Sequence, residues 1–103
     1  MIPLIEDNRD ALRALCRTFS VARLEVYGSA VDGTFDEARS DVDFLVEFAP
    51  DQDLGPWLAY CQDFKSAVEG LLGRKVDLVM PKAVRNRHFQ QEMNRTRRLL
   101  YAA

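Results

Sequence analysis

Two short segments, SDVDFLVEF (40–48) and KVDLVM (75–80), constrain this chain more than any other feature. Each alternates with a period of two, the repeat of a β-strand, whose successive side chains point to opposite faces. In the first, Val42, Phe44, Val46 and Phe48 share a face and supply core; in the second, Val76, Leu78 and Met80 do the same. The opposite rows carry acids: Asp41 and Asp43 in one strand, and Asp77, between Lys75 and Val79, in the other. The same arrangement thus occurs twice, and three carboxylates come from two strands.

The rest of the chain reads as elements around these strands. ARLEVYG (22–28) is a further strand, with Leu24 and Val26 on one face, Arg23, Glu25 and Tyr27 on the other, and Gly28 at its end. Residues 4–19 predict a helix, since Ile5, Leu12, Leu15 and Phe19 follow the three-and-four spacing of a buried stripe. Residues 53–73 predict a second, with Pro56 in its first turn, Gly73 as its terminator, and Trp57, Cys61, Phe64, Val68 and Leu71 along its buried face. Residues 82–101 read as a last helical region. The order helix, strand, strand, helix, strand, helix predicts an α/β (α+β) domain with a small sheet covered by helices. At 103 residues the chain is expected to form one domain, 1–103, without repeats or linkers.

A hydrophobic fraction of 48% and a charged fraction of 29% argue against disorder. No apolar run approaches the roughly 18 to 20 residues that span a bilayer, and MIPLIEDNRD begins with acids where a signal peptide is basic and then apolar. A cytoplasmic protein with no membrane partner is expected. Cys16 and Cys61 fall on apolar helix faces without metal or redox spacing, and read as core residues. Charge is uneven: residues 1–81 hold 8 basic and 15 acidic side chains, and residues 82–103 hold 6 and 1. The basic tail suits either a phosphate-rich or acidic partner or a solvated face. His88, the only histidine, lies in that tail with no nucleophile to pair with, and is assigned to the surface.

Asp41 and Asp43 point to the same side, with Cα atoms about 6.5 Å apart at roughly 3.3 Å per residue. Carboxylates about 5 Å apart repel by about 3 kcal/mol at an effective dielectric near 20, and a divalent cation between them reverses the sign. A D-x-D triplet alone is ordinarily a turn cap and a solvated strand end. Asp77 changes that balance, because neighbouring strands lie about 4.8 Å apart. Three oxygen donors then suit the paired metals, roughly 3.5 to 4 Å apart, that clamp phosphoryl oxygens, with magnesium favoured by an oxygen-only site. In YGS (27–29), Gly28 lets backbone N–H groups approach a phosphate, and Ser29 adds a hydroxyl at a helix start.

GSAVDG (28–33), then SDVDFLVEF (40–48), then GRKVDLVMPKAVR (73–85) resemble the minimal nucleotidyltransferases of the DNA polymerase beta superfamily, and the likeness runs from the first helix to the terminal RRLLY. The resemblance implies a mixed β-sheet flanked by helices, two Mg²⁺ ions, ATP as substrate, and transfer of AMP to a hydroxyl. It implies metal binding and catalysis by Asp41, Asp43 and Asp77, and nucleotide binding by Gly28, Ser29 and Ser40. Many such proteins are antitoxins that silence a HEPN-domain ribonuclease toxin by adding AMP to a tyrosine. One departure stands out: many relatives have arginine before the second glycine of this segment, whereas here Asp32 precedes Gly33. An acid there weakens attraction for a triphosphate, and Lys82, Arg85 and Arg87 are candidate substitutes.

Three classes stay open at this level: an active transferase, an antitoxin that only binds and blocks its toxin, and a nucleic-acid-binding module using the basic tail. A tRNA end or a small-molecule hydroxyl suits the same catalytic core as a protein tyrosine. Tyr27 is read as packing beside the sheet rather than as a site of automodification, and Trp57 and Phe64 as core. Arg95, Arg97 and Arg98 with Leu99, Leu100 and Tyr101 offer a mixed patch to a protein partner, or the three apolar residues simply seal the sheet.

Overall fold

The computed structural model describes residues 2–36, 41–49 and 57–103, without the side chains of residues 57–60 and 82. Ser40, the start of the second predicted helix at 53–56, and the side chains of Trp57 and Lys82 lie outside the described residues. The strands are β1 (Val21–Tyr27), β2 (Val42–Phe48), β3 (Val76–Val79) and β4 (Arg98–Ala102). The helices are α1 (Pro3–Asp7), α2 (Arg9–Thr18), α3 (Ser29–Asp32), α4 (Trp57–Leu72) and α5 (Arg87–Thr96), with a 3₁₀ turn at Pro81–Ala83.

The strands form one mixed sheet in the order β3-β2-β1-β4. β1 is antiparallel to both β2 and β4, while β2 and β3 are parallel. A parallel pair needs a long crossover, and α4 lies between β2 and β3 in the chain. The face carrying Leu24, Val26, Val42, Phe44, Val46, Val76 and Leu100 is packed with Ile5, Leu12 and Cys16 of α1 and α2 and Phe64 and Val68 of α4. Phe64 joins α4 to α2 and β2: its ring meets those of Phe19 and Phe48 edge-on at 5.4 and 5.9 Å. Burial pushes the Cys16 thiol up to about 12, so it is an inert core group.

Two expectations need correction. The helix expected over 4–19 is divided at Asn8 (φ −110°, ψ 11°), whose side-chain amide donates to the Leu4 carbonyl at 2.8 Å. Asn competes for backbone groups in this way, so it interrupts the helix while Ile5 and Leu12 stay on one buried stripe. The larger error is at the C-terminus, where 82–101 was expected to be helical. The helix there is α5, started by Asn86, whose side chain accepts from the Phe89 N–H at 3.0 Å. It ends where Arg97 turns extended (φ −59°, ψ 137°), and the following residues pair with β1 as a fourth strand. Leu100 fills the core with Tyr101 packed against it, and Arg13 of α2 donates to the Leu100 carbonyl at 3.0 Å, so these two seal the sheet while Leu99 stays exposed. Among the described residues, no helix is long and apolar enough to cross a membrane.

Candidate active site

The strand register places the acids side by side. Asp43 on β2 is the Cα partner of Asp77 on β3 and of Tyr27 on β1, so the three residues form one row across three strands. Asp41 stands exposed just before β2. Residues 27, 43 and 45 lie on the sheet face opposite the main core, where Tyr27, Leu45 and Met93 of α5 form a small apolar cluster flanked by Val79 and Val84. This face therefore divides: it is packed under α5 at Leu45 and acidic one step along, at Asp43.

The acids act on one another. The Asp43 carboxyl is pushed up to about 6, first by burial, then by the charges of Asp77 and Asp41 and by a hydrogen bond with Asp77. Tyr27, 7% exposed, is pushed up to about 12 by burial and by the charges of Asp43 and Asp77, so its phenol stays protonated at neutral pH. Its ring meets that of Phe89 on α5 edge-on at 6.1 Å, consistent with a packing role. Crowded like charges on oxygen-only donors are the chemistry that fits a hard divalent cation. Among the described residues, however, no three Asp, Glu, His or Cys side chains are gathered into a group ready to hold a metal ion. Asp43 and Asp77 interact through charge and a hydrogen bond, and Asp41 acts on Asp43 through charge, without forming a closed cage.

Gly28 has φ 76° and ψ −141°, a conformation open to glycine and strained for other residues. A Cβ added there would lie 3.0 Å from Asp43 Oδ2, so the missing side chain makes room for that carboxylate. The Gly28 carbonyl accepts from the N–H groups of Val31 and Asp32 at 3.0 and 3.1 Å, which turns the chain into α3 with Ser29 at its head. The Gly28 N–H donates to the Thr96 hydroxyl at 2.8 Å, so this donor is engaged within the protein. Asp32, the departure noted in the sequence, is engaged by local partners and by α5. Its Oδ1 accepts from the Thr34 hydroxyl and N–H at 2.6 and 3.0 Å, and its Oδ2 lies 3.6 Å from Arg95. These partners, the Thr34 hydroxyl first, hold the Asp32 carboxyl below its usual range.

Sequence reasoning missed Glu25 and Thr96. Glu25, buried on β1, receives the Arg97 guanidinium as a fork (Nε to Oε2 2.8 Å, Nη2 to Oε1 2.6 Å) and Arg23 Nε at 3.0 Å. Arg97 is thus engaged by Glu25 within the chain, although its side chain stays partly exposed. The one available signal was an acid on an otherwise half-apolar strand, which requires a cation that spacing alone does not identify. His88, Arg85 and Arg87 are exposed, as the surface assignment of His88 expected.

A four-stranded mixed sheet with paired aspartates on neighbouring strands and a glycine turn against them defines an α/β protein with an acidic margin on one sheet face. This chain belongs to the family of the Nucleotidyltransferase domain, which matches residues 9–100. No curated protein matches it. Among solved structures, a minimal nucleotidyltransferase is similar, with a TM-score of 0.73 and 29% identity over 94% of this chain and 95% of that one. A toxin–antitoxin structure with AMP-PNP is similar in fold, with a TM-score of 0.70 and 20% identity over 93% of this chain and 74% of its own. So is a chain in the complex of a tri-AMPylated HEPN toxin with its MNT antitoxin from Shewanella oneidensis, with a TM-score of 0.64 and 18% identity over 95% and 72%.

Proposed function

We propose that this single domain, acting in the cytoplasm, is a Mg²⁺-dependent nucleotidyltransferase that moves AMP from ATP to a tyrosine hydroxyl of a HEPN-type toxin, and so serves as its antitoxin. The observation that carries this reading is the register pairing of Asp43 with Asp77 directly against the Gly28 turn. It puts two carboxylates from different strands beside the backbone segment best suited to a phosphate. Family membership and the fold of antitoxins solved with HEPN toxins support the same reading.

Asp41, Asp43 and Asp77 would hold the Mg²⁺ ions, and Gly28, Ser29 and Ser40 would hold the triphosphate. When bound, the metal supplies charge neutralisation for the triphosphate and the leaving pyrophosphate. The chain's own residues do the rest. With the Gly28 N–H held by Thr96, the glycine turn would present Ser29 to the phosphates, and Tyr27 and Leu45 form the apolar floor beside Asp43. The acceptor oxygen attacks the α-phosphorus, the bond from that phosphorus to the bridging oxygen breaks, pyrophosphate leaves, and the Asp77 carboxylate accepts the hydroxyl proton.

One observation favours the binding-only antitoxin as a second reading: Asp32, an acid in the segment that would meet the triphosphate, is held in its charged form by Thr34 and Arg95. Co-expression with an adjacently encoded small helical protein, followed by intact-mass measurement, separates the two. A stable complex whose partner gains one AMP per modified tyrosine supports the transferase, and a complex with no adduct supports simple blocking. No complex, with labelled nucleotide entering tRNA instead, moves the acceptor to RNA.

A further inference from the structure

Three consecutive residues where α5 ends hold three points along the segment that passes through the candidate phosphate turn, one before it, one in it and one after it. Arg95 lies 3.6 Å from Asp32 of α3, the Thr96 hydroxyl receives the Gly28 N–H at 2.8 Å, and Arg97 forks onto Glu25 of β1. The two outer contacts involve long side chains with substantial exposure, 58% for Arg95 and 30% for Arg97. Thr96 differs: it is 3% exposed, and its own proton goes to the Glu92 carbonyl at 3.1 Å. With the proton committed along the helix, a lone pair of the oxygen is left for Gly28, so the hydroxyl has one orientation. Gly28 is then confined from two sides, by Thr96 at its N–H and by Asp43 Oδ2 where a Cβ would stand.

We infer that Thr96 is a positioning residue for nucleotide binding: through its hydroxyl it fixes the Gly28 turn, and with it Ser29 and α3, relative to Asp43 and Asp77. This rests on the transferase reading and deepens it. Thr96 touches no reacting atom; it acts through Gly28. Removing the hydroxyl leaves the Gly28 N–H without its partner, and a turn that shifts to satisfy it elsewhere misaims the phosphate donors, a kind of displacement to which group transfer is sensitive.

The test compares Thr96→Val, which keeps the shape and removes the hydroxyl, with Thr96→Ser, which keeps the hydroxyl. Each is assayed for ATP affinity with Mg²⁺, for transfer, for melting temperature, and for hydrogen exchange at the Gly28 amide by NMR. Thr96→Val should raise KM for ATP by about tenfold or more, with a smaller fall in kcat, and should speed exchange at Gly28 by a similar factor. Thr96→Ser should restore both to within about twofold of wild type. A purely structural role predicts a lowered melting temperature with unchanged ATP affinity in the folded protein, and that result overturns the inference. So does a Thr96→Ser variant with the full defect, a measurement that does not depend on Thr96→Val folding. An unprotected Gly28 amide in the wild-type chain overturns the clamp directly. A wild-type chain that protects this amide yet binds no nucleotide overturns the transferase reading instead, and the two failures are thereby told apart.

Discussion

Replacing Arg97 by methionine keeps most of the side-chain stem and removes the fork that neutralises Glu25. Glu25 is 4% exposed and sits on a central strand, with Leu45 opposite it on one side and Leu99 on the other. Removing one member of a buried pair costs about 3 to 5 kcal/mol, because a buried charge is left without its partner. Here Arg23 still reaches Glu25 Oε1, and the Arg97 side chain is 30% exposed, so the bridge is incompletely desolvated. The expected loss is therefore about 2 to 3 kcal/mol, at or below the low end of that range. Urea denaturation at neutral pH reads it directly, provided the slope is unchanged. The Arg97 hydrogen bonds hold the Glu25 carboxyl below its ordinary value of 4.5, burial opposes them, and Arg23 assists. A carboxyl with a lowered folded pKa binds fewer protons folded than unfolded. Its stabilisation is thus complete above 4.5 and is lost as pH falls through the folded value. The gap between wild type and Arg97→Met should accordingly close below that pH, and Glu25→Met/Arg97→Met should recover most of the loss. A difference under about 0.5 kcal/mol at neutral pH, the scale of an ordinary surface change, or an equal gap in acid, would refute the assignment of Arg97 to Glu25.

The remaining predictions concern the site. ATP affinity should depend on Mg²⁺ or Mn²⁺, because the acids repel a triphosphate; equal affinity by calorimetry in EDTA and in Mg²⁺ would remove the case for a metal site. Asp43→Asn should lose nucleotide binding and transfer, while Asp77→Asn should keep much of the binding and lose transfer, as incorporation from labelled ATP would show. Full activity in Asp77→Asn would mean that its pairing with Asp43 serves only the fold. Gly28→Ala should cost about 1 to 3 kcal/mol from backbone strain. It should also abolish transfer by displacing the Asp43 carboxylate 3.0 Å from the new Cβ; an unchanged thermal melt would contradict the strain.

Local pattern carried much of this fold. Alternation in Val42–Phe48 and Val76–Val79 was strong enough to assign both the core face and the acid face, because a one-residue slip would expose Phe44 and bury Asp43. The sequence RRLLYA was not legible in this way. Leu99 and Leu100 are adjacent, so the segment has neither a period of two nor a clear helical stripe, and its state is decided by the edge that β1 offers to it. The break at Asn8 was equally hidden, since both halves of that helix keep one stripe. Strand order was beyond local reading too: that Asp77 stands beside Asp43 follows from the parallel pairing of β2 with β3.

The least legible parts of the site are those whose partners are far apart in the chain. Asp32 reads as an unfavourable charge because it lies in the glycine segment assigned to the phosphates, yet it is tied to Thr34, two residues on, and to Arg95 in the distant basic tail. Thr96 carried no signal at all, being a helix threonine whose partner is 68 residues away. The same distance explains what α5 does. It buries Met93 against Leu45 and Tyr27, which closes the non-core face of the sheet up to the row that holds Asp43. Its last turn then holds the glycine bordering that row, and its exit residue neutralises the buried acid two positions before Tyr27 on β1. One helix thus sets the boundary between the packed and the acidic parts of a single sheet face. The D-x-D strand tolerates its charges for this reason: Leu45 is covered while Asp43, the next residue on that face, is left at the margin beside Gly28, Asp41 and Asp77.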